Sequence, residues 1–304
     1  MHVGALIFAT DYAVPPQELA RELEARGYES FFVPEHTHIP ASRQSPWPGG
    51  ADLPKEYVHT YDPFVALSFA AAATNRLRLG TGICLLPQRD TLVTAKLVAS
   101  LDRLSGGRVI FGVGAGWNRE ELEHHGVEFA TRFARMEEQI AALSLLWREE
   151  APAFDGQYVK FSATWQYPKP IQQPRPPVLL GGESDHTLRR IVAGCDGWLP
   201  RARGGFDASR EMGRLAAMAQ AAGRSMDSLT VSIFGARADA RTLDDYAAAG
   251  ITRAILPLPP ADRDTVWRAL DRYQPLLDAR GAISVCAKSR TASRIASMSS
   301  PSWK

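Results

Sequence analysis

Short apolar runs alternate with amphipathic stretches along the chain from its first residues. Residues 3–9, VGALIFA, are continuously apolar, as expected of a strand covered on both faces. PPQELARELEARG follows, with prolines at its first turn, Leu19 and Leu23 on one face and Gly27 as a stop, which predicts a helix. The second strand is predicted over 28–34, YESFFVP, and periodicity is then lost in a Pro/Gly-rich insertion from Thr37 to Thr60. Asp62-Pro63 reads as the N-cap and first turn of the helix FVALSFAAAAT. Strand three is predicted over 77–87, LRLGTGICLLP, with its helix in TLVTAKLVASLDRL; strand four is predicted over 107–117, GRVIFGVGAGW. Helix four spans Arg132 to Trp147, where Phe133, Met136, Ile140 and Leu143 recur at helical spacing. An excursion, 148–176, carries a hairpin signal at Asp155-Gly156 and, with the insertion 37–60, is expected to shape a pocket. PPVLLGG, DGWLP, LTVSIFG and TRAILPLP supply strands five to eight, with helices near 185–194, 207–223, 242–249 and 261–278.

Eight strand-like runs alternating with eight helical ones predict an α/β fold, a (β/α)8 TIM barrel with insertions after strands two and four. A doubly wound sheet is the rival. The barrel is predicted to take residues 1–281; residues 282–304 are Ser-rich, lack apolar periodicity and predict a disordered tail.

Composition narrows the function classes. Four of the 35 basic residues (Lys288, Arg290, Arg294 and Lys304) lie in 282–304, which has no acid, so residues 1–281 carry 31 bases against 33 acids. A nearly neutral body gives no argument for nucleic acid. Cys84, Cys195 and Cys286 have no paired spacing, which predicts neither a disulfide framework nor a zinc knuckle. The N-terminus lacks a basic leader and no run approaches the roughly 20 apolar residues that span a bilayer. The expectation is a cytoplasmic protein acting on a small molecule, without nucleic-acid or membrane partners.

In a barrel, the chemistry sits at the C-terminal ends of the strands. Glu35, His36 and His38 follow strand two in VPEHTHIP; GTGIC ends strand three, GVGAGWN ends strand four and GGES ends strand five. GVGAGW fails as a dinucleotide fingerprint because Trp117 stands where the third glycine belongs. Its small residues would still let backbone N–H groups approach an anion, and Gly181-Gly182 before a helix would add donors. The plain alternative is that these glycines only make tight turns. Gly80 and Gly82 inside an otherwise apolar strand suggest a bulge or a close backbone approach to a flat ligand. Trp117, Trp165 and Trp198 are candidates to line such a cavity, and Trp47, Tyr57 and Tyr61 to cover it. EHTH also admits a metal site. The metal-dependent barrel hydrolases, however, carry HxH after the first strand and need further ligands, and His124 and His125 are adjacent on a predicted helix and expected to diverge. No metal is predicted.

Taken in order, VPEHTHIP, TNRLRLGTGICLLPQRDTLVTAKLVASLDRLSGGRVIFGVGAGWNREELEHHG, FDGQYVKF, PKPIQQPRPPVLLGG and CDGWLP resemble the bacterial luciferase-like flavin and deazaflavin oxidoreductases. Within them they resemble the actinobacterial branch assigned to coenzyme F420. The resemblance runs from about residue 1 to 280 and implies a barrel, usually dimeric, that binds F420 or FMN at its C-terminal mouth. It implies a cofactor-binding bulge at Thr81, Gly82 and Ile83, where relatives often hold a non-prolyl cis peptide. It also implies cofactor contacts from Gly114, Ala115, Gly116, Trp117 and Asn118, and a phosphate-side loop at Gly181 and Gly182. Glu35 and His36 match an Asp–His pair of an F420-dependent sugar-phosphate dehydrogenase, in which the acid contacts the cofactor and the histidine acts as base. The basic residues for that enzyme's phosphate substrate have no match here, so the sugar phosphate is not expected. The function expected is hydride transfer between F420 and a small organic substrate. The alternatives are FMN-dependent monooxygenation on the same fold and a non-catalytic flavin-binding barrel.

Overall fold

The architecture is a closed ring of parallel strands wrapped by helices. The computed structural model describes residues 1–50, 52–202 and 206–296, with side chains to residue 280. In chain order the elements are β1 (His2–Leu6), α1 (Pro16–Ala25), β2 (Ser30–Val33), α2 (Pro63–Ala73), β3 (Arg78–Thr81), β4 (Cys84–Leu85), α3 (Thr91–Ser105), β5 (Val109–Gly114), α4 (Arg119–His124) and α5 (Arg132–Arg148). They continue with a small hairpin of β6 (Phe154–Asp155) and β7 (Lys160–Phe161), then β8 (Val178–Gly181), α6 (Asp185–Gly194), β9 (Gly197–Leu199), α7 (Ala208–Ala221), β10 (Thr230–Phe234), α8 (Ala240–Ala248), β11 (Arg253–Pro257) and α9 (Arg263–Ala296).

Each barrel strand pairs in parallel with the barrel strands before and after it along the chain, β3 and β4 sharing one place, and β1 pairs with β11 from His2↔Arg253 to Leu6↔Pro257, which closes the ring. The predicted third strand is two pieces. β3 pairs β5 at Leu79↔Val109 and β4 pairs it again at Cys84↔Val113, with Gly82 and Ile83 between them out of register. Counting β3 and β4 as one position, the described residues make the expected eight-stranded (β/α)8 barrel. The hairpin expected at Asp155-Gly156 pairs Phe154 with Phe161. The helix starts follow the local signals: Asp62 accepts from the Phe64 and Val65 amides at 2.8 and 3.0 Å, and Asp90 caps Val93 at 2.8 Å.

Two apolar layers result. Between strands and helices lies a continuous core that includes Phe31, Leu67, Phe111, Trp147 and Trp198. Inside the barrel a smaller cluster, Leu6, Phe32, Ile110, Leu179, Leu199 and Ile255, fills the lumen, with Ile83 and Phe234 above it. Gly80 is required here, because a Cβ at that position would occupy the Phe32 ring.

The excursion 148–176 departs from the expectation that it shapes the pocket. It runs over the outside of α3 and α5, where the Glu138 carboxylate accepts the amides of Gln157, Tyr158 and Val159. It ends at the opposite face, where Asp102 accepts the amides of Ile171 and Gln172 and Gln172 donates to the Val109 carbonyl. A connection from helix to strand returns to the N-terminal face, away from the mouth. Of the stretch 282–304, expected to be disordered, residues 297–304 lie outside the described residues, and the backbone of α9 continues through Ala296. Among the described residues no helix is long and apolar enough to cross a membrane.

The N-terminal face is held by Arg108, which is buried and donates to the carbonyls of Ala71, Thr74, Leu77 and Ser105 and to the Thr74 hydroxyl, at 2.6–3.0 Å. Arg108→Met would strand these acceptors without a donor. We expect a loss of about 3 kcal/mol in urea unfolding, and a loss below ~1 kcal/mol would mean that water reaches the carbonyls.

Candidate active site

Strand ends β2, β3/β4, β5, β9 and β10 meet at a cavity of about 140 Å³ lined by Phe8, Pro34, Glu35, His36, Trp47, Pro48, Tyr57, Gly82, Ile83, Leu85, Trp117, Arg201 and Phe234. A larger hollow of about 560 Å³ lies between α5 and α6 on the outer wall, remote from every strand-end motif except Leu180. The strand-end cavity is therefore the candidate site, despite its smaller volume.

The bulge is its floor. The Gly82–Ile83 peptide is cis and the two residues stand between β3 and β4. The Ile83 side chain reaches sideways onto the backbone of two neighbouring strands: a Cβ on Gly114 would lie 2.9 Å from Ile83 Cγ2, and one on Gly181 would meet Ile83 Cδ1. A Cβ on Gly82 would lie 2.6 Å from the Phe234 ring. Gly114 and Gly181 thus have a packing reason to be glycine beyond any contact with an anion. Gly116 and Gly182 have left-handed backbones, φ +81° and +112°, that other residues rarely adopt. The Gly182 carbonyl accepts Trp198 Nε1 at 2.7 Å, and Ser184 caps α6 through Thr187. Thr81 is buried and donates to the Gly112 carbonyl at 2.7 Å, and Ala115 is buried in the core between Gly114 and Gly116.

Glu35 ties β2 to the bulge. One carboxylate oxygen accepts the Leu85 amide at 2.7 Å and the other accepts Arg89 Nε at 2.6 Å. Arg89 in turn donates to Asp62 at 2.6 Å and lies over the Phe64 ring. Burial disfavours the Arg89 charge, but Glu35 and Asp62 more than offset it and hold the guanidinium above its ordinary pKa. Cys84 lies beside this pair. Burial first, and the Glu35 charge second, push its thiol well above the ordinary value, so it is no nucleophile.

His36 faces the same cavity, 8% exposed, with Nδ1 2.8 Å from Glu121 Oε2. Its ring packs against Tyr57 and edge-on to Trp117, at centroid distances of 5.3 and 5.6 Å. Tyr57 also meets Phe8 and Trp47, so the insertion supplies an aromatic wall. Trp47 and Tyr57 therefore cover the site as expected, whereas Tyr61 is exposed. Of the three tryptophans expected to line it, only Trp117 does. Trp165 is 78% exposed on the excursion, and Trp198 is fully buried beneath Phe206.

Glu120 and Glu121 escaped the sequence reading. Asn118, expected among the cofactor contacts, is the N-cap of α4 and accepts the Glu121 amide at 3.1 Å. In a capping box the glutamate three residues on turns back to the cap. Here Glu121 instead crosses to the loop after β2, where Oε1 accepts the Thr37 amide at 3.0 Å. Glu120 holds the insertion further along, accepting the Gln44 and Ser45 amides at 3.0 and 2.9 Å and the Ser42 hydroxyl at 2.8 Å, with Ser45 Oγ also donating. The spacing Asn-x-x-Glu was visible, but it reads as a cap and nothing more.

His124 and His125 do not diverge as expected. Both reach the insertion, His124 Nδ1 2.8 Å from His38 Nε2 and His125 Nε2 2.8 Å from the Thr37 hydroxyl. Among the described residues no group of three or more His, Cys, Asp or Glu is placed to hold a metal ion. Arg201 lines the cavity from the end of β9 and donates through Nε and Nη2 to Glu183 at 3.0 and 2.7 Å; these hydrogen bonds, against burial, raise its pKa.

The luciferase-like monooxygenase family matches this sequence over residues 12–293. The chain belongs to that family. A Mycobacterium tuberculosis relative of uncharacterised function is 37% identical over 280 residues, covering 90% of this chain and 97% of its own. Among solved structures, a monooxygenase from Streptomyces bottropensis superposes with a TM-score of 0.73 at 20% identity, over 92% of this chain and 99% of that one. An F420-dependent secondary alcohol dehydrogenase, solved with an F420-acetone adduct, gives 0.71 at 16% identity, over 90% and 97%. At these identities the two structures show the fold. The luciferase-like family takes in both F420-dependent oxidoreductases and FMNH2-dependent monooxygenases.

The clamp on the insertion is sensitive to acid. The Ser45 hydroxyl, against burial and with help from Ser42 and the Gln44 amide, holds the Glu120 carboxyl down at about 2. A depressed folded-state value stabilises the fold above the ordinary 4.5, and that stabilisation is lost as pH falls towards 2. In Glu120→Gln we expect the insertion to be cleaved by an acid-active protease near pH 4, where the native chain resists. Equal cleavage of both would show that the clamp does not hold the loop.

Proposed function

We propose that the protein is an oxidoreductase that moves hydride between coenzyme F420 and a small organic substrate at the C-terminal mouth of the barrel. The observation that carries this reading is His36, oriented through Nδ1 and lining the same cavity as the Gly82–Ile83 bulge. A flat ring resting on the bulge would stand directly before the imidazole. The residues fit such a group. Glycines 82, 114 and 181 leave no room for side chains of their own around Ile83, which gives a smooth floor, and Phe8, Trp47, Tyr57 and Trp117 supply an aromatic wall.

In this reading Gly82 and Ile83 hold the ring, with Thr81 behind them. Residues 114–118 would flank its side chain, and Gly181, Gly182 and the start of α6 would meet its phosphate, with Arg201 close by. Glu35 keeps Leu85, and hence the bulge, in place. When bound, a deazaflavin supplies a ring carbon that takes or gives hydride. His36 then takes a proton from the substrate hydroxyl, or returns one to its carbonyl, while the aromatic wall excludes water.

Titration with F420 and with FMN in parallel, followed by cofactor fluorescence, tests the reading. F420 is expected to bind more tightly, and tight binding of FMN alone overturns it in favour of monooxygenation. With F420 bound, His36→Ala is expected to lower kcat roughly 10²- to 10⁴-fold with little change in cofactor affinity.

The exposed Val65 and Phe69 on α2 and Val93 on α3 support the proposal of a homodimer through these helices. Phe69→Lys combined with Val93→Lys is expected to halve the mass measured by light scattering. A native chain that is already monomeric ends this proposal.

A further inference from the structure

Glu121 has no place in the chemistry described so far, yet it is a fully buried carboxylate that spans from α4 to the loop after β2. A buried charge is costly unless its partners are arranged to meet it. Oε1 is taken by the Thr37 amide at 3.0 Å and more weakly by the Thr37 hydroxyl at 3.4 Å. Oε2 is left for His36 Nδ1, at 2.8 Å. The backbone amide of Glu121 is itself fixed by Asn118 Oδ1 at 3.1 Å, so the residue is anchored at its backbone on α4 and at Oε1 by Thr37 before it meets the imidazole. Among the described residues Nε2 of His36 has no hydrogen-bond partner.

We infer that Glu121 is the positioning residue of a Glu–His dyad: its carboxylate keeps the His36 proton on Nδ1 and so presents Nε2 to the cavity as a proton acceptor. This rests on the reading of His36 as the group that exchanges a proton with substrate. An ionised carboxylate can only accept a hydrogen bond, so the neutral imidazole that satisfies it must carry its proton on Nδ1. The lone pair on Nε2 then meets a hydroxyl. In the oxidative direction the O–H proton would pass to Nε2 while the C–H bond broke, its electron pair leaving as hydride to the oxidised deazaflavin that the proposed function supplies, and the C=O bond formed. The carboxylate stabilises the imidazolium that results and keeps its own charge throughout. In the reverse direction the imidazolium returns the proton to the carbonyl oxygen.

Other charges face the pair: Glu35 and Arg89 from the bulge side, His38 on the insertion, and Glu120, His124 and His125 around α4. His125 feels the Glu121 charge directly, and with His38 it meets the Thr37 hydroxyl that Glu121 also accepts, so the His38 and His125 signals are followed beside that of His36 in any Glu121 variant.

The test reads the imidazole directly, without cofactor. In histidine-15N-labelled protein, with His36→Asn identifying the signal, His36 is expected as the Nδ1–H tautomer at neutral pH. In Glu121→Gln the Nδ1–H fraction should fall. With F420 and substrate, the acidic limb of kcat/KM should move down in pH, and kcat should fall at least about tenfold with KM nearly unchanged. Glu121→Asp, which keeps the charge, should restore the position of the limb. A purely structural role would lower kcat without moving the tautomer or the limb, and that result overturns the proposal. If the tautomer behaves as expected but His36→Ala turns over normally, the role of His36 in the reaction is what falls.

Discussion

The site depends on one packing constraint: a side chain that leaves the barrel wall needs its neighbours to give up theirs. Ile83 lies outside the strand register, and its methyl groups rest on the backbone of Gly114 in β5 and Gly181 in β8. Phe234 closes over Gly82 from β10 in the same way. Two strands thus surrender side-chain volume to the bulge, and the bulge surrenders its own at Gly82 to Phe234 of a third; protein interiors, being close-packed, tolerate no other solution without a shift of backbone. The cavity exists because this bulge turns the third strand out of the wall, and the elements that line it are placed relative to that turn.

The opposite side of the cavity is held by polar contacts. Among its described residues, the insertion after β2 has little regular structure of its own, one short 3-10 turn at Lys55–Val58. Its position is set from outside by a six-residue helix, α4, whose adjacent glutamates reach two parts of it. Glu120 gathers the amides and hydroxyls of residues 42–45, and Glu121 takes the Thr37 amide and the His36 ring. One element therefore fixes both the aromatic wall and the imidazole. Chemistry and access are mechanically linked, as expected where a catalytic group must be locked by its supports.

Much of the barrel was legible because its causes are local. The apolar runs, the caps at Asp62 and Asp90 and the glycine stops follow from period and backbone preference within a few residues, and Gly82 announced the bulge for the same reason. The cavity wall was legible in part: Trp47, Tyr57 and Trp117 reach it, whereas Trp165 sits on the outer surface and Trp198 in the core. An aromatic residue carries the same signal in each of these places, since burial of a ring looks alike from sequence whether the neighbour is a ligand or a helix.

The sequence by itself determined the fold class, the alternation of strand and helix, and the appearance of His36, Gly82, Gly114 and Gly181 at strand ends. Hydrophobic period and turn chemistry are short-range properties. Only the tertiary structure decided what those residues do to one another. It gave Gly114 and Gly181 to Ile83, turned Glu35 towards Leu85 and Arg89, and sent the excursion 148–176 to the far face. It also turned a capping glutamate into the partner of a histidine 85 residues away. Such a pairing has no local signature, because a short polar side chain takes whichever donor the closed barrel brings to it.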